Sequence, residues 1–382
     1  MKIVADENIP LVREAFASFG QVVTCPGREI CPAVLKDADI LLVRSITNVN
    51  AALLEGTAVR FVGTATIGVD HVDEAYLASR GIGFASAPGS NAESVAEYVV
   101  AALLVLGRRL DFSLAGMSLG VIGVGNVGSR VARNAQALGM KVLLNDPPLQ
   151  RRTGDAEFLP LEKVLEADAV TLHVPLSYKG PDATYHLVDE QFLKCMRPGS
   201  VLINTSRGAV ADERQLHEAL ESHLSAAVLD VWENEPTIDV SLLEKVQLGT
   251  PHIAGYSYDG KVTGMHMLYR AVCRYLKKEP EWEPGDALPS PRVPRLCLNT
   301  KGRARDDVFL EAVRAIYDIE ADDLRMRSLI RITDVQRGAA FDGLRKEYPQ
   351  RREFSNTTIT LEPYDEDLAK VLRGLRFRVN AP

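Results

Sequence analysis

Cysteine is scarce in this chain: five in 382 residues, with no two spaced C-x-x-C. That count and spacing leave little for a disulfide framework or a zinc site. Cys25, Cys31, Cys195, Cys273 and Cys297 read as free thiols of a reducing compartment, and no metal is expected. Long apolar runs are missing as well. The strongest covers only residues 98–106, far short of the ~20 a bilayer-spanning helix needs. Asp6 and Glu7 interrupt the amino terminus before a signal-peptide core forms. A cytoplasmic chain with no membrane partner is the expectation. Positive charge is not in surplus either: 44 lysines and arginines face 51 aspartates and glutamates, a formal charge of −7. Such a balance argues against a nucleic-acid partner and leaves small anionic ligands open. No internal repeat is visible, and 46% hydrophobic with 25% charged residues excludes collagen-like, disordered and coiled-coil readings.

What is present is alternation. At ~150 residues per domain the length asks for two or three domains. Up to about Ala87, β-rich runs at 2–5, 22–24, 40–44, 60–63 and 83–85 alternate with helical segments such as 10–19 and 49–54. Strands alternating with helices imply a parallel α/β sheet. A long helical pattern at 91–109 has Ser90 or Asn91 as its cap and Glu93 and Glu97 in its first turns, where the dipole favours acids. A second series of strands follows, at 118–122, 141–144, 169–172, 200–204, 226–231 and 246–249, before the pattern turns helical again over 258–277. Five prolines between Pro280 and Pro294 then mark a linker, because clustered prolines resist both helix and central strand. Beyond it lies enough chain for a small domain, with β-rich runs at 328–335 and 357–361 and helical patterns at 307–317 and 365–375. From Asp286 onward 18 basic residues meet 16 acidic ones, against 26 and 35 before it.

Gly123-Val124-Gly125-Asn126-Val127-Gly128 follows the run at 118–122 and opens a helical pattern at 127–138. A bare G-x-G-x-x-G is weak; strand and helix on its two sides are what a dinucleotide site requires. The first glycine makes the turn, the second admits a pyrophosphate, and the third lets helix and strand pack closely. The next strand run leads to Asp146, 18 residues past Gly128. A carboxylate there accepts both ribose hydroxyls and repels a 2′-phosphate, so NAD is preferred over NADP. Asp146 is also suited to capping a helix or closing a turn.

Three later segments end predicted strands with reactive groups: Asn204-Thr205-Ser206-Arg207-Gly208, Asp230-Val231-Trp232-Glu233-Asn234-Glu235-Pro236, and Thr250-Pro251-His252-Ile253-Ala254-Gly255. Ligands of open α/β sheets bind at the carboxyl ends of strands. Alone, His252 reads as a loop or core residue, Arg207 as an ion-pair partner, and Glu235 as turn chemistry. In this order and wording, however, the segments resemble the D-isomer-specific 2-hydroxyacid dehydrogenases over residues 1–277. The resemblance implies an NAD-dependent oxidoreductase in which Arg207 binds the substrate carboxylate, His252 exchanges the hydroxyl proton and Glu235 orients His252. It adds Asn126, Val127, Pro175, Thr205, Ser206, Arg207, Asp230 and Gly255 to Gly123, Gly125, Gly128 and Asp146 as cofactor-binding positions. The implied fold is α/β, with two Rossmann-like or flavodoxin-like domains: a nucleotide domain (93–257) inserted in a discontinuous substrate or lid domain (1–92 and 258–284).

Within the family, the Val43–Thr47 and Ala65–His71 segments, the aromatic Gly255–Lys261 stretch and the tail around Phe341–Phe354 resemble those of a member that acts on a phosphorylated hydroxy acid. The implied reaction oxidises 4-phospho-D-erythronate at C2 in vitamin B6 synthesis, with Ser45, Thr66 and Tyr256 as substrate contacts. Serine and threonine at strand ends equally suit turn capping. A phosphate needs cations: Arg44 is the candidate, with Arg345, Lys346 or Arg351 of the tail as further contributors. Residues 285–382 are expected to form an α+β dimerisation domain and the chain a homodimer; a regulatory domain is the other reading of the tail. A phosphoglycerate or glyoxylate/hydroxypyruvate type of dehydrogenase is the rival enzyme, and a non-enzymatic NAD-sensing corepressor the rival outside catalysis. A methyltransferase reading of the glycine motif leaves Arg207, Glu235 and His252 without a purpose.

Overall fold

A computed structural model describes residues 1–381 and separates them into two compact units. The first joins Met1–Asn91 to Ser257–Ser290. Its five strands are β1 (Lys2–Asp6), β2 (Gln21–Cys25), β3 (Ile40–Val43), β4 (Phe61–Thr64) and β5 (Gly83–Ala85). They pair in parallel in the order β2-β1-β3-β4-β5. β3 and β4 are buried at every position, as strands covered on both faces must be. The helix Tyr258–Leu276 returns the chain to this sheet. Met265, Leu268, Tyr269 and Val272 pack on Ile3, Phe16, Ile40 and Phe61 in one apolar cluster. Ser257 caps the helix through its side chain, accepting from the Gly260 amide at 2.8 Å.

The second unit joins Ala92–Tyr256 to the chain from Pro291 onward. The helix Ala92–Arg109 is buried almost all round, so apolar residues fill every side of it rather than one stripe. Six parallel strands follow: β6 (Ser118–Ile122), β7 (Lys141–Asn145), β8 (Ala169–Leu172), β9 (Val201–Asn204), β10 (Ala226–Leu229) and β11 (Leu248–Gly249). Their order is β11-β10-β9-β8-β6-β7. The chain leaves β6 toward β7 on one side and resumes at β8 on the other. The crevice at the carboxyl ends of β6 and β8 is therefore the switch point where such sheets take ligands.

The C-terminal segment adds a small parallel sheet, β12 (Arg295–Asn299), β13 (Thr358–Glu362) and β14 (Arg378–Val379), in sequence order. Helices Arg305–Ile316, Ile319–Arg327 and Asp334–Lys346 lie between β12 and β13, and Glu366–Gly374 between β13 and β14. The apolar run expected as a strand at 328–335 is instead a 3-10 turn, Ser328–Arg331, followed by the start of a helix. Within that run the Thr333 carbonyl accepts from the Gln336 and Arg337 amides, so the helix begins where alternation suggested β-structure. Val308, Phe309, Phe354 and Leu372 of this segment share one core with Tyr98, Leu103, Leu119 and Val131 of the nucleotide-binding sheet and its helices.

Candidate active site

The glycine turn fills the switch point. Gly123, at φ +84, has no room for a side chain: a Cβ would stand 2.6 Å from the His173 carbonyl oxygen beyond β8. At Gly128 a Cβ would stand 1.9 Å from the Gly123 oxygen, which is the close helix–strand packing the motif demands. Gly125 is different. It is exposed, and a Cβ there would meet nothing within 4 Å. That open flank, at the amino terminus of helix Asn126–Ala137, fits a pyrophosphate approaching the backbone amides. Asp146 follows β7 and does two jobs. Its Oδ2 accepts from the Val124 amide in the glycine turn and its Oδ1 from the Leu149 amide, both at 2.8 Å. It is thus a helix cap tied to the glycine turn, and a carboxylate retains lone pairs for ribose hydroxyls. Beyond β8, the exposed Pro175 accepts from Thr184 through its carbonyl, and Thr205 Oγ1 lies 3.3 Å from His173 Nδ1. Desolvation pushes His173 down to about 3, so that ring is neutral.

Arg207 is presented by a turn that Asn204 folds. Asn204 Oδ1 accepts from the Ser206 amide and hydroxyl, and its Nδ2 donates to the Arg207 carbonyl. The next residue sets the turn against its neighbour. A Cβ on Gly208 would lie 2.0 Å from the Trp232 carbonyl carbon and oxygen, so only glycine allows this approach. The Arg207 turn and the segment leading to Glu235 therefore meet backbone to backbone.

Glu235 and His252 are bonded: Nδ1 of His252 lies 2.8 Å from Oε2 of Glu235. The other carboxylate oxygen accepts from the Trp232 amide at 2.8 Å. Burial pulls the Glu235 carboxyl upward, but the charge and hydrogen bond of His252, the Trp232 amide and the Arg345 charge outweigh it and hold it below the usual range. An ionised Glu235 makes Nδ1 of His252 the donor and leaves Nε2 as the basic nitrogen. His252 stands at φ 56, in the left-handed region that costs a β-carbon residue strain. Asp230 holds it there. The Asp230 carbonyl accepts from the His252 amide at 2.7 Å, while its fully buried carboxylate accepts from Thr250 Oγ1 and from the Ile253 and Ala254 amides. Tyr98 completes the chain by donating to Thr250 at 2.7 Å. Asp230, expected beside the cofactor, thus fixes the His252 loop, which also carries Gly255 and Tyr256.

In the first unit, Arg44 and Ser45 follow β3 and Thr66 lies two residues past β4. The register Val43↔Thr64 puts them on one edge. Thr66 Oγ1 donates to the Gly68 carbonyl at 2.9 Å and lies 2.7 Å from Thr64 Oγ1; Ser45 is exposed. Sequence reading missed Lys261, in the first turn of Tyr258–Leu276. Burial, then the charge of Arg44, pushes its ammonium down to about 8, so two cations converge at this edge. It also missed Trp232, whose indole donates to the Thr250 carbonyl at 3.0 Å, and Glu213, which accepts from the Glu233 amide at 2.8 Å. Burial and the neighbouring Glu233, Asp239 and Glu235 raise Glu213 to about 7. Among the described residues no cluster suited to a metal ion occurs, and no helix is long and apolar enough to cross a membrane.

Residues 105–254 match the model of the D-isomer specific 2-hydroxyacid dehydrogenase NAD binding domain, and residues 287–375 match a domain of unknown function. An erythronate-4-phosphate dehydrogenase of Salinibacter ruber is 49% identical over 395 residues, covering 100% of this chain and 99% of that protein. One from Tolumonas auensis is 46% identical over 97% of this chain and 98% of its own length. A crystal structure of D-lactate dehydrogenase from Aquifex aeolicus, complexed with NAD and lactic acid, matches at TM-score 0.59 and 27% identity, covering 72% of this chain and 96% of that one. On the glycine turn, the Glu235–His252 pair and an identity of 46–49% to these dehydrogenases over nearly the full length, the chain belongs to the erythronate-4-phosphate dehydrogenases of the D-isomer-specific 2-hydroxyacid dehydrogenase family.

Proposed function

We propose that the chain oxidises 4-phospho-D-erythronate to (R)-3-hydroxy-2-oxo-4-phosphooxybutanoate with NAD, a step in pyridoxal 5′-phosphate synthesis. The bonded Glu235–His252 pair, in a chain almost half identical end to end to proteins named for that substrate, carries the reading. NAD, when bound, supplies the acceptor for the hydride that leaves C2. His252 Nε2 takes the C2 hydroxyl proton as the C2–O bond becomes a carbonyl, and ionised Glu235 stabilises the imidazolium that forms. Arg207 binds the carboxylate and polarises the C2 oxygen through paired N–H donors.

Gly123, Gly125, Asn126, Val127 and Gly128 hold the pyrophosphate, and Asp146 the ribose hydroxyls. Pro175, Thr205, Ser206, Arg207, Asp230 and Gly255 line the cofactor. Ser45, Thr66 and Tyr256 contact the substrate, and Arg44 is a cation for its phosphorylated end. Residues 1–92 with 258–284 act as the substrate domain, 93–257 as the nucleotide domain and 285–382 as the dimerisation domain of a homodimer. Leu324 and Val335, 71% and 94% exposed on helices of the C-terminal segment, are the apolar side chains there that a second copy would cover. The test of the activity is NADH formation from 4-phospho-D-erythronate, 3-phosphoglycerate, D-lactate and D-glycerate. The first is expected to give the highest kcat/KM; a higher value for any of the others overturns the substrate assignment.

A further inference from the structure

The helix Asp334–Lys346 runs along the loop that holds Glu235. At Gly338 a Cβ would lie 3.4 Å from Cγ of Pro236, the residue after Glu235. Phe341, fully buried, packs in the same apolar cluster as Leu229 and Trp232. Arg345 stands with its guanidinium carbon 6.0 Å from the centre of the Tyr256 ring, which Tyr348 meets edge-on at 5.8 Å. Positions 338, 341 and 345 share one helix face, so that face lies against the Glu235–Tyr256 side of the site.

Three basic residues of this segment compete for a role, and their surroundings separate them. Lys346 is exposed. Arg351 is committed to the fold: it donates to Ser94 Oγ at 2.5 Å and to the Ala254 carbonyl at 3.2 Å, with its guanidinium 4.1 Å from the Tyr317 ring centre. Arg345 is half-buried, and its Nε is buried without a hydrogen-bond partner among the described residues. It interacts with Tyr256, its charge reaches Glu235, and Asp342 is its acidic neighbour on the helix. A guanidinium desolvated beside a substrate contact, with a donor to spare, suits an anionic group of the substrate. The carboxylate goes to Arg207, which leaves the phosphate.

We propose that Arg345 binds the C4 phosphate of the substrate and so sets specificity, making the Asp334–Lys346 helix of the C-terminal segment a wall of the active site. This rests on the proposed reaction.

The full-length enzyme and its Arg345→Gln and Arg345→Lys variants test the inference. Each is assayed for kcat and KM with 4-phospho-D-erythronate and for competitive inhibition by inorganic phosphate. The Gln variant is expected to raise KM about 10- to 100-fold, the usual worth of a charge-assisted contact, with kcat within a few-fold. Phosphate inhibition weakens in parallel, and the Lys variant recovers part of both. If the Gln variant does not fold, the Lys variant against wild type carries the same comparison with a smaller shift. Lower kcat with KM and phosphate inhibition unchanged would mean that Arg345 acts through Glu235, and no change at all would mean no role; either overturns the assignment. Absence of wild-type activity on 4-phospho-D-erythronate would instead overturn the underlying reaction, and this inference with it.

Discussion

His252 carries its imidazole on a backbone that L residues seldom adopt, and the loop holding it is fixed by one buried carboxylate. The cost of such a conformation, about 1–3 kcal/mol, is met by the bonds to Asp230. Replacing His252 with Asn removes the proposed proton acceptor while keeping a small polar side chain tolerant of positive φ. Turnover should fall at least ~10²-fold with the melting temperature little changed; near-normal turnover would remove the proton-transfer role. Glu213 gives a different prediction. Its folded-state value, about 7, lies above the ordinary glutamate value, so the native state holds this proton more tightly than the unfolded chain. Stability from that group is full below the ordinary value and is lost as pH rises through 7. Glu213→Gln, which keeps an acceptor for the Glu233 amide, should stabilise the protein at pH 8 by on the order of 2–3 kcal/mol and have little effect near pH 4. Thermal melts at both pH values check it, and an equal shift at both would contradict the assigned cause. Neither Glu213 nor Asp230's grip on the loop was legible from the sequence, since both depend on which amides a buried carboxylate meets. The pairing of Glu235 with His252 was legible only through family resemblance. Glu233, two residues away, pairs with His186 instead, at 2.6 Å.

At the level of elements, apolar β-runs bounded by turn residues located all eleven strands of the two larger sheets to within a few residues. The glycine motif located its helix, because Gly123 and Gly128 each answer to a contact the fold cannot relieve, while Gly125 leaves the flank open. The misread run at 328–335 has the same cause in reverse. Its leucine and isoleucines meet neighbouring helices, and alternation over so short a stretch does not separate a strand from a 3-10 turn. The meeting of the Arg207 turn with the Trp232 segment was invisible too, since a lone glycine announces no partner. Gly208→Ala should force those backbones apart, costing about 1–3 kcal/mol in stability as overpacking does, with kcat lowered by displacement of Arg207. Chemical denaturation and steady-state kinetics measure both, and a variant unchanged in each would refute the close approach.

For the whole molecule, the sequence marked a linker and a tail, and the tail shares its core with the nucleotide-binding sheet. Deleting it would strip that core, so the proposed homodimer is better tested at the surface. Leu324→Glu with Val335→Glu should turn a dimer into a folded monomer in analytical ultracentrifugation; a dimer that persists places the interface elsewhere. On these proposals the excess length beyond two α/β units would serve the site, through Arg345 beside Tyr256, as well as assembly. The chemistry itself is read most directly by isotope. Given 4-phospho-D-erythronate deuterated at C2, the enzyme should deliver the deuterium to C4 of the nicotinamide, seen by NMR as one stereospecifically labelled NADH. Deuterium released to water, or NADH formed without label, would contradict hydride transfer from C2.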